Sequence, residues 1–346
     1  MTKKNTKLIV RILLFGSTAV SLYFVPWIVI KAWILPLPDT IQEQVDDAKN
    51  YGFEGIIAYV DKAGEEPSLY AAGWHDRDNK IPAYPDALFK IASVRKLYVA
   101  VAITKLVTEG KINLDGTIDD YFPEFKGRIV NSEIITIRNM VQHRSGLYNF
   151  TNSPNFWNDP PNSKEGALEL VFDKPSNFKP GTKYEYSNTN YFLLDLLIEK
   201  QSGIRTFEYI KKVILEPLGL KNTFGSLAEI DMDRLMSGYY VGIEGDIKDT
   251  DYSAMIATAE DVGIFLRALN DGSVFAPGEM EIYSSIYEFN HTGLIPGYQT
   301  IAEYHPDIDA VVIQFTNTTD FNGYNWNLSE VIYGRIVKIL RKNDES

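Results

Sequence analysis

With 346 residues, 45% of them apolar and 23% charged, the chain has the make-up of a packed globular protein, long enough for one large domain or two small ones. A net charge of −12, with no basic cluster beyond the N-terminus, argues against a nucleic-acid partner, which would need a positive face to neutralise phosphates. The lack of cysteine excludes disulfides, thiolate zinc sites, a cysteine nucleophile and a lipidated cysteine anchor.

The first predicted element is apolar. No side chain from Ile12 to Ile30 is charged, and a helix of that length spans roughly 28 Å, close to a hydrocarbon core of about 30 Å. Lys3, Lys4, Lys7 and Arg11 precede it, while Asp39, Glu43, Asp46 and Asp47 follow. This asymmetry predicts a cytoplasmic tail over 1–11 and a single-pass transmembrane signal anchor over 12–35, ended by Pro36 and Pro38. The domain over 36–346 is then extracytoplasmic and held at the cell membrane. A cleaved signal peptide and a buried helix of the soluble domain are the competing readings. The apolar run is long for a signal peptide, and no clean small-x-small site follows it.

Asp39 to Asn50 reads as a short capped helix, and Phe53–Val60 and Ser68–Trp74 as a pair of strands. Ser93 to Glu109 turns helical, with Leu97, Val101 and Leu106 on one side and Gly110 as the stop. Lys111 to about Gly225 mixes short helices with Pro/Gly/Asn-rich loops. Thr258 to Asp261 opens a helix through a capping-box pattern. Gln299–Tyr304 and Ala310–Phe315 read as strands around a Pro306-Asp307 turn, and a final helix runs from about Asn327 to Arg341. The expected fold class is therefore α+β: an antiparallel sheet from both chain ends, flanked by helices, plus a helical subdomain. Their junction is a natural place for a cleft.

Three short motifs carry chemistry. In Ser93-Val-Arg-Lys96, one helical turn puts a hydroxyl and an amine on one face, and a serine needs a neighbouring base to become a good nucleophile. Lysine acts as a base only when neutral; lowering its pKa from about 10.4 to about 7.5 costs roughly 4 kcal/mol, which burial and nearby positive charge supply. Ser93 at the helix start also offers its own N–H to an oxyanion. Ser176 and Lys179 share this spacing, but Pro175 and Pro180 prevent a helix from aligning them. Tyr186-Ser-Asn188 pairs a proton relay with an amide that can hold a carbonyl. In His291-Thr292-Gly293, glycine allows close approach of a strand to a ligand, and the N–H of Leu294 would be a second oxyanion donor. Taken singly, each motif has an ordinary structural reading: a capping serine with a surface lysine, a core tyrosine, a strand histidine.

Together and in this order, the motifs resemble those of the β-lactamase-related serine hydrolases. That group includes class C β-lactamases, low-molecular-weight penicillin-binding D-alanyl-D-alanine carboxypeptidases, and related esterases and aminopeptidases. LFKIASVRK, INLDGTIDDYFPEF, ITIRNMVQHRSGL, FKPGTKYEYSNTNYFLL, LEPLGLKNT, ATAEDVGIFL and HTGLIPGY carry the resemblance, from about Phe53 to Asn317. It implies a β-lactamase/transpeptidase-like fold in which Ser93 is acylated, Lys96 and Tyr186 share the proton work, and Asn188 orients the substrate. The N–H groups of Ser93 and Leu294 would stabilise the oxyanion. No cofactor and no metal is implied, and the substrate would be a small molecule or a peptidoglycan- or envelope-derived amide or ester.

Two departures bear on specificity. Class C β-lactamases usually carry Lys where His291 stands. In carboxypeptidases with the same motif a hydroxyl residue often follows it, where this chain has Leu294. The remaining alternatives are a D-alanyl-D-alanine carboxypeptidase or β-lactamase proper, and a catalytically poor penicillin-binding scaffold. The intact Ser, Lys, Tyr, Asn and His-Thr-Gly set favours an enzyme. His305-Pro-Asp-Ile-Asp309 reads as a turn rather than a metal site, Asp76–Lys80 lacks the glycine and distal glutamate of a calcium loop, and His75 and His143 read as structural.

Overall fold

The computed structural model describes residues 3–161, 163–252 and 254–344. Among them, six strands form one antiparallel sheet: β1 (Gly55–Lys62), β2 (Ser68–Asp76), β3 (Ile81–Pro82), β4 (His291–Ile295), β5 (Tyr298–His305) and β6 (Ala310–Thr316), in the order β3-β2-β1-β6-β5-β4. The two ends of the chain meet in the β1–β6 pair, where Ile56 opposes Thr316 and Lys62 opposes Ala310. The expected sheet from both termini is thus present.

Alternation along β1 explains why both of its faces are apolar. Ile56, Ala58 and Val60 point into one layer with α3 (Ile41–Asp47) and the C-terminal helix Asn325–Asp344. Ile57 and Tyr59 point into the other, which holds helices Arg95–Thr108 and Ala259–Asp271. Close packing there needs glycine: a Cβ on Gly263 would lie 2.1 Å from the Tyr59 ring.

The short helix before β1 is capped as its sequence suggests, Thr40 Oγ1 accepting from Glu43 N while Glu43 accepts from Thr40 N. At Thr258 only half of the expected box forms. Thr258 accepts from Asp261 N, but the Asp261 carboxylate turns away to accept from Asn222 N and Thr223 Oγ1.

The N-terminal segment departs from the expected single helix. It forms α1 (Lys3–Tyr23) and α2 (Trp27–Ile34), bent by 77° at the break. No single helix among the described residues is long and apolar enough to cross a membrane; Arg11–Tyr23 and Trp27–Ile34 pass that test only together. Pro26 causes the break, since it has no N–H to give the Leu22 carbonyl. The Trp27 indole donates to that carbonyl instead, at 3.0 Å. Pro36 and Pro38 therefore lie after a second helix, not at the end of one continuous span.

Candidate active site

Helix α4 (Arg95–Thr108) is buried almost all round, and the segment before it forms a tight 3-10 turn, Ala92–Val94. Ser93 thus stands on the turn that leads into the helix rather than in its first α-helical residues. Ala92 adopts φ +48°, a left-handed conformation costly for a non-glycine residue and often stored at functional sites. The turn lifts Ser93 Oγ to the floor of a cleft of about 930 Å³.

Three elements converge on that hydroxyl. Lys96, one turn along α4, donates to Ser93 Oγ at 2.9 Å, and Tyr186 OH lies 2.7 Å from the same oxygen. Lys96 Nζ also reaches Asn188 Oδ1 at 2.9 Å. Tyr186 and Asn188 flank the start of α5 (Asn188–Ser202). Asn188 is fixed from behind: Asn149 Oδ1 accepts from its backbone N–H at 3.0 Å, and its side-chain amide donates to Thr151 Oγ1 at 3.2 Å. The expected Ser93, Lys96, Tyr186 and Asn188 are therefore in one hydrogen-bonded group.

Burial pushes the Lys96 ammonium down to about 7, Arg95 beside it acts in the same direction, and Asp195 partly opposes both. At neutral pH a large share of Lys96 is therefore the free amine that can accept a proton. Burial pushes Tyr186 up to about 12, against the effect of its hydrogen bond with Ser93, so the phenol keeps its proton at neutral pH. Asp195, on the same face of α5 as Asn188 two turns on, pairs with Arg95 at 2.7 Å.

The edge strand β4 brings in the third motif. A Cβ on Gly293 would lie 2.7 Å from Ile91 O and 3.1 Å from Ser93 N, so only glycine lets the strand approach the serine turn this closely. His291, Thr292 and Leu294 line the same cleft. His291 Nδ1 lies 2.5 Å from the Thr292 carbonyl, which only accepts, so the ring proton sits on Nδ1 and Nε2 accepts from Tyr287 OH at 2.9 Å. Burial first, and Lys96 second, hold its pKa down at about 4. His291 is thus neutral and adds no fixed charge.

His143 departs from its purely structural reading. Its ring stacks on Tyr186 with centroids 4.4 Å apart, and Nδ1 accepts from Ser187 N at 3.2 Å. Burial, then Lys96 and His291, hold it down at about 3. It backs the tyrosine as a neutral plate. The segment containing it was already among those carrying the resemblance; Asn149, Thr151, Arg95 and Asp195 were missed as site residues. Helical spacing from Asn188 could have pointed to Asp195, whereas the Asn149–Thr151 loop left no periodic signal.

One wall of the cleft is aromatic, with Phe150, Phe156, Trp157, Phe192, Tyr252 and Trp326. The cations there are engaged: Arg95 with Asp195, and Lys164 with Glu199. Lys90 and Arg144 do not line it, and Lys90 instead donates to the carbonyls of Lys248 and Thr250 at 2.6 and 2.7 Å.

The other candidate ligands have partners. His305 meets Tyr333 OH at 2.8 Å, Asp307 pairs with Arg341, and Asp309 pairs with Arg267. Asp76 accepts from Asn79, and His75 meets the Asp233 carbonyl while stacking on Tyr84. Among the described residues, no group of three His, Cys, Asp or Glu side chains is placed to hold a metal.

Comparison with known proteins bears on the family and the fold. The Beta-lactamase family model matches residues 37–285, well over half of the chain, and stops short of His291–Leu294. Protein flp of Staphylococcus aureus (strain MW2) is 26% identical over 272 residues, covering 75% of this chain and 53% of that protein. A putative D-alanyl-D-alanine carboxypeptidase of Salmonella agona is 30% identical over 154 residues, 41% of this chain and 35% of the other. The chain spans about half the length or less of these curated relatives. Among solved structures, D-amino acid amidase from Ochrobactrum anthropi SV3, complexed with L-phenylalanine amide, superposes with a TM-score of 0.77 at 25% identity, covering 88% of this chain and 98% of the amidase.

Proposed function

The chain belongs to the β-lactamase family of serine hydrolases, and from that premise we propose that it cleaves an amide or ester through an acyl-Ser93 intermediate. The observation that carries this reading is the Ser93 hydroxyl held between Lys96 and Tyr186, with the lysine depressed to about 7. Lys96 takes the Ser93 proton as Oγ bonds to the substrate carbonyl carbon. The N–H groups of Ser93 and Leu294 receive the oxyanion; losing one such donor typically costs about 3 kcal/mol in other hydrolases. Asn188 orients the substrate, and Thr292 contributes to the strand side of its site. Collapse of the tetrahedral species breaks the C–N or C–O bond, and the departing group takes a proton through Tyr186, which Lys96 restores. Water then attacks the acyl carbon with the same pair as base, and Ser93 is released.

Labelling with a fluorophosphonate and a fluorescent penicillin, followed by peptide mass spectrometry, tests the assignment. The adduct is expected on Ser93; an adduct on Ser176, or undiminished labelling in Ser93→Ala, would sink it.

For the substrate, the reading is an ester or uncharged amide in preference to D-alanyl-D-alanine peptides and penicillins. Neutral His291, apolar Leu294 and engaged cleft cations support it, since each absent charged hydrogen bond is worth on the order of 1–2 kcal/mol. For location, the reading is a single-pass anchor with the catalytic domain outside the cytoplasm, acting on cell-envelope substrates. It is supported by the basic N-terminus and the apolar run behind it. Reporter fusions after residue 50 should be active only in an exported-protein assay, and a protease-protected cytoplasmic domain would refute it.

A further inference from the structure

A buried lysine lies behind the cleft, outside the catalytic group. Lys90 is 2% exposed and stands three residues before Ser93. A buried ammonium is costly unless its donors are satisfied. Here they go to the carbonyls of Lys248 and Thr250 at 2.6 and 2.7 Å, and Nζ lies 5.2 and 5.7 Å from the ring centroids of Tyr298 and Tyr252. Burial pushes the ammonium down to about 8, while Asp251, Asp246 and Asp249 act the other way, so it is mostly charged at neutral pH.

Both carbonyls belong to one irregular stretch. Residues 241–252 carry no helix or strand and leave from the short strand Tyr239–Tyr240. The chain returns at Ile256, whose backbone pairs with Lys90 itself, and Ile91 N donates to Met255 O at 3.0 Å. Asp246 Oδ1 ties the outgoing side by accepting from Gly238 N and Lys248 N, both at 2.9 Å. Lys90 ties the part beyond it. A stretch without a ladder of its own takes its shape from such side-chain contacts to its backbone.

Thr250 and Tyr252 of this stretch line the cleft. Tyr252 is the ring that the stretch adds to the aromatic wall, and it meets Trp157 with centroids 5.9 Å apart. Trp157 in turn packs edge-on against Phe156 and Phe321 at 5.1 and 5.8 Å. The wall is thus assembled from segments far apart in sequence. Where Tyr252 stands depends on where the carbonyls of Lys248 and Thr250 are held, and Lys90 reaches the cleft only through them.

We propose that Lys90 is a specificity-determining positioning residue: it braces residues 248–252 so that Tyr252 completes the aromatic wall, and that wall receives an aryl-sized apolar group of the substrate beside the scissile bond. The brace rests on the acyl-Ser93 reading and adds to it what the substrate carries next to its amide or ester. Lysine suits the task because a single Nζ combines several donors with a charge that ring faces attract. A methionine of similar length has neither.

The chain has no cysteine, so a thiol reagent reads only the thiol released from a thioester substrate. Ethyl thioacetate is the small reference. Ethyl 3-phenylthiopropionate carries a phenyl group on the acyl side, and 2-phenylethyl thioacetate carries one on the leaving side. The native protein is expected to prefer at least one phenyl-bearing thioester by about tenfold or more in kcat/KM. In Lys90→Met that preference should fall about tenfold, with the loss in KM and kcat retained. Tyr252→Ala should lose it to a similar degree, and the double variant should lose no more than the larger single loss, because both act on one wall. No phenyl preference in the native protein, a loss carried by kcat, or losses that add in the double variant would each overturn the proposal.

Binding of the same thioesters to Ser93→Ala, read by the change in tryptophan fluorescence to which Trp157 and Trp326 contribute, separates the brace from the reading beneath it. Phenyl-dependent binding that Lys90→Met weakens, with no turnover by the native protein, removes the acyl-Ser93 reading and leaves the brace standing. Turnover with a phenyl preference that ignores Lys90→Met does the reverse, and neither binding nor turnover of a phenyl thioester overturns the brace. Should Lys90→Met fail to fold, as judged by thermal melting, Lys90→Gln takes its place with the same expectation. Failure of both variants to fold assigns Lys90 to the core and overturns the proposal.

Discussion

Two stretches of this chain carry a serine followed three residues later by a lysine, and they behave oppositely. At Ser93 the turn leads into a buried helix, the lysine is 7% exposed and depressed to about 7, and both side chains meet Tyr186 or Asn188. At Ser176 no helix forms between the prolines; the hydroxyl donates to the carbonyls of Phe178 and Gly146 at 2.7 and 3.2 Å, and Lys179 is exposed. The spacing is identical, so spacing is not what makes a nucleophile. Backbone geometry aligns the pair, and burial neutralises the amine.

The sharpest way to break this contrast is to remove each serine. Ser93→Ala should lower kcat/KM on an activated ester by about a thousandfold or more, as for other activated nucleophiles. Ser176→Ala should stay within about twofold of native. Comparable losses in the two variants would erase the distinction.

The next largest effect concerns the strand that closes on Ser93 and has no counterpart at Ser176. Gly293→Ala forces β4 away from Ile91 O and should cost about a hundredfold in kcat, the penalty typical of a 1 Å misplacement. Native thermal stability with native kcat would show the close approach to be dispensable.

Chemical environment is tested by pH. Acylation needs neutral Lys96, so its rate should fall about tenfold per unit below pH 7 and level off above it. The histidines, held down at about 4 and 3, are already neutral across this range and should not set the limb. Arg95→Gln removes a charge that lowers the Lys96 pKa and leaves Asp195, which raises it, without its partner. The limb should therefore move to higher pH, with a loss of roughly threefold to tenfold at pH 6.5 and little change at pH 9. A limb that stays in place would assign it to another group. At the small end, Leu294→Thr should raise use of a terminal-carboxylate substrate by up to about tenfold relative to its matched neutral ester. Native preference for the carboxylate form would instead move the carboxypeptidase reading ahead.

Much of the site was legible because local rules fix it. Ser93 and Lys96 sit on one turn, Asn188 opens a helix, and Gly293 permits an approach no other residue allows. The strands at both ends were legible through β-branched and aromatic runs, although both faces of β1 are covered. What escaped depends on contacts between distant segments. The aromatic wall joins Phe150, Tyr252 and Trp326, and the stack of His143 on Tyr186 joins two loops. Helix α2 was absorbed into one long span because hydropathy outweighed Pro26, even though a missing N–H there already predicts a break.

The placement of the site on β4 also bears on self-association. A sheet with two open edges presents unpaired N–H and C=O groups to any passing strand. At one edge β3 is only two residues long and contains Pro82, which has no donor. At the other, β4 is only five residues long, and Thr292 and Leu294 on it border the cleft. The strand that offers its N–H groups to a substrate is thus also an open edge kept short, and lengthening it to grip a bulkier substrate would give a neighbouring chain more edge to pair with.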